Sequence, residues 1–385
     1  MRPAAGPFAV GASLFGLSLL LLWRGGGDGD TAELRRYGDA VLAGQVPYRD
    51  FRLEYPPGAI PFFTVPSLGS EHAYLTIFRL LAIVGVVLGL LLLALLLERL
   101  AAPPRWAYGA LAFSALAPAL LGAFTLRRFD MWPAALCVGV LLLLLADRPL
   151  SAFAMIAVAT LVKTYPVALL PVALLAVERR LRLRALAVFC GVGLAVLLPF
   201  FALGHVGLYN SYSGQWNRHL QLETIGSSVL LALHHAGRVA FDAGSWSVFG
   251  SAADAVAKLQ TLAQALAIAA AAVVFARSRR TGWDLVAAAA ATIAAVAVLG
   301  KVLSPQFLLW LAPLALLARS IIAPVLFAAA MLITNLLFPD RYAGLIARHG
   351  AEVALLVARN VLLAAAVVAL FAAQLRNPAT LGRRG

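Results

Sequence analysis

An all-α chain that crosses a membrane many times is the fold predicted here, and three observations predict it. Of the 385 residues 62% are hydrophobic and only 12% charged, with a mean hydropathy of +0.90, whereas a soluble domain carries about 25% charged residues. The apolar residues arrive in blocks close to the roughly 20 residues that a spanning helix needs. The arginines sit in the short connections between those blocks, so the formal charge of +14 reads as topology and excludes nucleic acid as the partner. Cys137 and Cys190 both fall inside apolar blocks, which leaves no disulfide framework and no cysteine metal site.

The first block runs from about Phe8 to Trp23. It resembles a signal peptide, but no small-residue cleavage pattern follows, so it is expected to be the first span. A polar stretch reaches to His72. Further blocks follow at about 73–97, 106–124, 131–146, 151–177, 185–203, 255–276, 283–300, 305–318, 320–338 and 351–374. With the N-terminus in the cytoplasm, Arg99, Arg105, Arg148, the cluster Arg179 to Arg184, Arg277 to Arg280, Arg319 and the basic tail all fall inside. The first loop falls outside. It holds five arginines against seven acids, as a non-cytoplasmic loop should.

The block 151–177 breaks the alternation unless it enters and leaves on one side. Its Lys163-Thr164-Tyr165-Pro166 turn and Pro171 supply the break, because proline removes a backbone donor and clashes with the preceding turn. Such breaks stand only where protein or a water-filled cavity covers the freed backbone groups. The expectation is therefore about ten spans plus one broken hairpin with its tip outward, in a single domain over 1–385. The connections 24–72 and 204–254 are the two large outer loops, and both termini are cytoplasmic, in a cell-membrane protein.

The first loop, DGDTAELRRYGDAVLAGQVPYRDFRLEYPPGAIPFFTVPSLG, packs acids and aromatics among Pro and Gly. Thr31 to Leu42 forms one amphipathic helix with Leu34, Tyr37, Val41 and Leu42 on a common face. Asp30 precedes it as a natural N-cap. Past Pro56-Pro57 and Pro61, the run Ile60 to Val65 suits the membrane surface.

Polar residues recur where later spans reach the same face: Arg127 to Asp130, Lys163, Gln215 to Glu223, and Gly300 to Gln306. Ionisable groups at bilayer depth are costly and mark function. The chain has only three lysines, and Lys163 and Lys301 both lie in these turns near a proline. A compact ammonium differs from a guanidinium in size and hydration.

These motifs, PYRDFRLEYPPG at 47–58, the KTYP turn, RHLQLETIGSS at 218–228 and GKVLSPQ at 300–306, resemble the actinobacterial members of glycosyltransferase family 87. The resemblance implies a C-type glycosyltransferase architecture. It also implies transfer of mannose, or alternatively arabinofuranose, from a polyprenyl phosphate carrier to a lipid-linked or cell-wall glycan on the outer face. By the same resemblance Asp30 is the general base, with Asp28 its close competitor; Glu54, read from the loop itself, is the second catalytic carboxylate and orients acceptor or base. No cofactor and no metal are expected. The partners are the donor lipid, the glycan or glycolipid acceptor and membrane lipid.

The chemistry fits the side chains. Glycosyl transfer passes through an oxocarbenium-like centre, a carboxylate can take the acceptor proton, and cations stabilise charge as it grows on the leaving phosphate. Lys163, Arg218 and Lys301, with Arg128 behind them, are the phosphate candidates. Tyr48, Asp50, Tyr55, Glu223 and Gln306 are the acceptor or supporting residues. Blander roles compete: capping for Asp30, a pair with Arg49 or Arg52 for Glu54, and arginine partnership for Asp50 and Asp130. Arg359 and Glu352 read as structural pairing residues, His234-His235 as interfacial, and Trp132, Trp216, Trp246 and Trp310 as interface anchors. A transporter or flippase is the alternative of another class. Such proteins are built of repeated halves with midplane sites, and no repeat is visible here. An acyltransferase or ligase acting on lipid-linked glycans would share the topology.

Overall fold

The computed structural model describes residues 5–23 and 30–375. In chain order the helices are α1 (Ala5–Leu22), α2 (Asp30–Leu42), α3 (Ile60–Ser67), α4 (Glu71–Arg99), α5 (Pro104–Leu121), α6 (Met131–Leu145), α7 (Pro149–Val162), α8 (Leu170–Ala176) and α9 (Arg179–Trp216). After these come α10 (Ile225–Ala232), α11 (Ser251–Arg277), α12 (Gly282–Leu299), α13 (Leu308–Leu311), α14 (Ile322–Leu337), α15 (Tyr342–Ile346) and α16 (Gly350–Leu375). Six of them are by length and apolarity alone able to cross a membrane.

Contacts sort the helix ends into two poles. At one pole Arg99 Nε, closing α4, donates to the Leu145 carbonyl that closes α6, at 2.9 Å. There too the Arg319 guanidinium lies 4.2 Å over Trp283, at the start of α12. The chain runs between the poles through α1, α4, α5, α6, α9, α11, α12, the segment 305–318, α14 and α16, which are the crossings expected. Segment 305–318 differs from an ordinary span. It is a 3-10 turn, the four-residue α13 and a series of turns, almost wholly buried, because its neighbours rather than lipid surround it.

The block 149–177 returns to the pole it left. Val177 and Ala185 share an apolar cluster with Ala152 and Phe153, so the far end of α8 lies beside the start of α7. The break falls at Lys163, whose φ of −154° and ψ of 137° are extended, and a 3-10 turn over Tyr165–Leu169 leads into α8.

α9 is 38 residues long, about 57 Å at 1.5 Å per residue, and so overshoots a hydrocarbon core of about 30 Å. It kinks at Gly204, five residues after Pro199. The Tyr48–Arg49 backbone of the first loop seats on this kink. A Cβ at Gly207 would stand 1.8 Å from the Tyr48 carbonyl oxygen, so only glycine admits that approach. The Tyr48 ring meets Phe200 edge-on at 5.6 Å, and its hydroxyl donates to the Tyr55 carbonyl at 2.6 Å.

The second large connection departs from the all-helical expectation. It carries a three-stranded antiparallel sheet of β1 (Leu220–Gln221), β2 (Val239–Asp242) and β3 (Ser245–Val248), in the order β1-β3-β2. The helix expected over 31–42 is present as α2, burying Leu34 and Tyr37, but Leu42 is exposed. α3 lies against α2 instead of lying free on the membrane surface.

The hairpin has a direct test. Cys137 is buried and can stay, while Cys190 is replaced by Ser. Cysteines at Arg148 and Arg180 are then expected to react with an impermeant maleimide from the same side, and one at Arg52 from the other. Labelling of 148 and 180 from opposite sides would show that 149–177 crosses.

Candidate active site

The helix breaks meet at the pole that also carries the first loop. Asp130 sits just before α6, only 1% exposed. Its Oδ1 accepts from Lys163 Nζ at 2.5 Å and from Trp310 Nε1 at 2.6 Å. The ammonium lies 5.3 to 5.5 Å from the centroids of Phe129, Phe307 and Trp310, and Tyr165 stacks on Trp310 at 3.9 Å. Cation–π attraction strengthens when the cation is desolvated. One carboxylate thus ties together the KTYP break, the head of α6 and the buried rod 305–318.

Two arginines stand behind this pair. Arg128 is buried and donates to the Arg127 carbonyl at 3.1 Å, and Arg128 and Arg218 both lie within electrostatic reach of Lys163. Arg218 is half-buried and held on three sides. Its guanidinium donates to Gln215 Oε1 at 3.3 Å, to the Ala243 carbonyl at 2.7 Å and to Ser245 Oγ at 3.0 Å. Lys301 joins through its backbone, since its carbonyl accepts from Gln221 N–H at 3.0 Å. Its Nζ donates to the Trp216 carbonyl at 2.7 Å, and burial draws its ammonium pKa below the ordinary lysine value.

Side-chain amides satisfy the broken backbone here. Gln221 accepts from Leu303 N–H at 2.9 Å and donates to Ser304 Oγ at 3.1 Å. Gln260 donates to the Gly300 carbonyl at 3.0 Å and accepts from Gly226 N–H at 3.1 Å. Glu223 is buried, and its Oε1 accepts from the Tyr342 hydroxyl at 2.6 Å. Burial pushes its carboxyl pKa up, against the Tyr342 hydrogen bond and the Arg359 charge. Arg359 and Asn360 of α16 donate to the Glu223 carbonyl, which ties the last span to the second outer loop.

The first loop reaches the same place. Gln215 Nε2 donates to the Glu54 carbonyl at 3.3 Å while its Oε1 receives Arg218, so one amide bridges the two loops. Glu54 is half-buried, and its carboxylate makes no ion pair among the described residues, with Arg49 and Arg52 or otherwise. Asp50 does pair with Arg49, at 2.8 Å. That hydrogen bond, then the one from Val46 N–H, holds its carboxyl pKa at about 2. Asp28 lies outside the described residues. Asp30 opens α2, and its side chain lies outside them as well.

Several expectations change. Asp130 partners Lys163 and Trp310 rather than an arginine, because the KTYP break brings the ammonium to it. Trp310 is 3% exposed and no interface anchor. Trp132 is half-buried, donating to the Leu81 carbonyl at 2.9 Å, and Trp246 is half-buried against Phe241. Trp216 is 75% exposed. Arg359 partners the Glu223 segment, while the Glu352 side chain lies by Gly344. Tyr55 packs on Phe63 and Phe129, and Gln306 is half-buried in the 3-10 turn that starts the rod. His219 lies 3.8 Å from Asp254; among the described residues no three His, Cys, Asp or Glu side chains gather as a metal site would need. Sequence reading overlooked the Gln215 bridge and the contribution of Ala243 and Ser245. The two short runs of β2 and β3, separated by Ala-Gly, are the hairpin signal that would have found the latter.

Removing one member of a buried ion pair costs about 3–5 kcal/mol, because the other charge is left uncompensated. Lys163→Met is therefore expected to destabilise the protein by that order in denaturant unfolding, and Lys163→Met with Asp130→Asn to recover most of the loss. Losses that simply add in the double variant would show that the pair is not coupled.

Three comparisons bear on identity. Among curated proteins none matches the chain in sequence. A solved structure of similar shape is that of ArnT from Cupriavidus metallidurans, described as bound to undecaprenyl phosphate. It shares 16% identity at a TM-score of 0.45, over 96% of this chain and 77% of that one. The profile of glycosyltransferase family 87 matches residues 53–305. That match opens one residue before Glu54 and closes on Pro305 at the head of the buried rod, so it takes in the second half of the first loop and all the later breaks, and the chain belongs to glycosyltransferase family 87, a family of membrane glycosyltransferases.

Proposed function

We propose that the protein transfers a sugar, with mannose the reading the family resemblance supports, from a polyprenyl phosphate to a glycan or glycolipid acceptor at the outer membrane face. The observation that carries this reading is the Gln215 bridge, which ties the backbone of Glu54, whose carboxylate makes no ion pair among the described residues, to the guanidinium of Arg218. A transfer of this kind needs both charges: a base for the acceptor hydroxyl and a cation for the phosphate as it leaves.

Arg218, Arg128 and Lys301 are the groups assigned to the phosphate. Lys163 is matched by Asp130 in the absence of donor and adds its charge to the rear of the cluster. The polyprenyl tail is assigned to the flank of α9, which packs chiefly on α7 and turns Leu194, Leu198 and Phe201 outward. In the reaction the acceptor oxygen attacks the anomeric carbon as the phosphate departs on the opposite side, which inverts the configuration. Asp30 or Glu54 takes the proton, and the other carboxylate orients the acceptor. Tyr48 and Asp50 support the loop that carries Glu54.

Two measurements test this. With polyprenyl phosphate mannose and a glycolipid acceptor, Asp30→Asn and Glu54→Gln separate base from orienting group: the base variant is expected to lose about 10²–10⁴-fold in kcat while binding donor normally. Normal turnover by both variants would remove the first loop from the chemistry. Lys301 holds phosphate only while protonated, so its contribution is present below its lowered pKa and lost as pH rises through it. The donor KM is expected to climb on that alkaline limb and to stay flat in Lys301→Arg. An unchanged limb in Lys301→Arg would take Lys301 out of the phosphate site.

A further inference from the structure

The tip of the β2–β3 hairpin stands between the two loops of the site. Its turn residues Ala243 and Gly244 both have positive φ, 46° and 74°, as a two-residue hairpin turn of the primed type requires. On one side the Ala243 carbonyl and Ser245 Oγ receive Arg218. On the other, a Cβ built on Gly244 would lie 3.2 Å from Glu54 Oε2. Gly244 is exposed, and Glu54 and Arg218 are half-buried. The tip therefore approaches the Glu54 carboxylate with backbone alone, and any side chain at 244 would take up space beside that carboxylate. On the same hairpin Phe241 is 63% exposed and meets Trp246 edge-on at 5.8 Å, which places a flat apolar surface close to the tip.

We propose that the tip Ala243–Gly244 is the element that selects the acceptor: a sugar hydroxyl reaches Glu54 past Gly244, and the apolar face of the sugar ring rests on the Phe241 side of the hairpin. The inference rests on the reading in which Glu54 serves the acceptor. A polyol suits this place because it brings hydroxyls for the carboxylate and an apolar ring face for the aromatic surface. The missing side chain at 244 leaves a space beside the carboxylate, where the atoms nearest to a Cβ would all be those of Glu54, that a hydroxyl of the sugar can enter while its ring stays outside.

Gly244→Asn tests this, since asparagine tolerates positive φ and so keeps the turn while filling the space; thermal unfolding checks the fold. The purified full-length protein is treated with a water-soluble carbodiimide and either methylamine or glucosamine, and amide formation at Glu54 is read by mass spectrometry. Wild type is expected to accept both amines. Gly244→Asn is expected to lose glucosamine coupling by about tenfold or more, the scale of steric discrimination in a fitted site, and to retain methylamine coupling. Equal glucosamine coupling in variant and wild type would overturn the proposal. Should Gly244→Asn fail to fold, Gly244→Ser decides on the same criterion. In turnover with polyprenyl phosphate mannose, the acceptor KM is expected to rise about tenfold in Gly244→Asn with the donor KM unchanged. A rise in donor KM instead would mean that the tip acts through Arg218, and would also overturn the proposal. A wild type that transfers from no polyprenyl phosphate sugar would sink the donor reading, while the coupling experiment would still decide the role of the tip.

Discussion

A single buried carboxylate organises the site. Asp130 has no solvent to stabilise its charge, and a carboxylate in such surroundings stands only when paired and hydrogen-bonded. Its partners come from elsewhere in the chain: Lys163 from the break between α7 and α8, and Trp310 from the irregular rod 305–318. Both breaks give up helical hydrogen bonds, and both are drawn to the same point by the charge they satisfy. Around that point Phe129, Phe307, Trp310 and Tyr165 exclude water. This raises the worth of each polar contact made there and the cost of losing one.

The same logic extends outward from Asp130. At three of the places where the backbone leaves the helix near this pole, an amide or guanidinium from another element takes up the freed groups: Gln221 for Leu303, Gln260 for Gly300 and Gly226, Arg359 and Asn360 for the Glu223 carbonyl. Irregular backbone at membrane depth is tolerated only under such cover. The cover also fixes the turns beside Lys301 and the segment that follows Arg218. α16 lies beyond the residues matched to the family, yet through Arg359 it holds the segment that leads back to Arg218.

The first loop is the movable half of this arrangement in sequence and the fixed half in space. Its helix α2 is tied to α3 by Tyr37 and Phe63, whose rings lie 5.9 Å apart, and its Tyr48 turn sits against the glycines of the α9 kink. Glu54 therefore has a set position relative to Gln215 and Arg218, although it is more than 150 residues from either in the chain.

The sequence by itself determined the membrane class, the crossings, the hairpin and the pole at which polar residues gather. These follow from composition, from the sign of the connections and from proline, which act locally along the chain. It also marked Lys163, Arg218 and Lys301, by their placement in turns at span ends, and Glu54, by the density of acids in the first loop, as residues of interest. Only the tertiary structure decided their partners. Lys163 meets Asp130 and Trp310, and Arg218 meets Ala243 and Ser245, 25 and 27 residues away. No periodicity encodes which break faces which. The tryptophans show the difference most plainly: amphipathic character suits Trp310 to an interface, but the indole N–H can also satisfy a buried carboxylate, and only the packing of the rod 305–318 against the head of α6 selects the second.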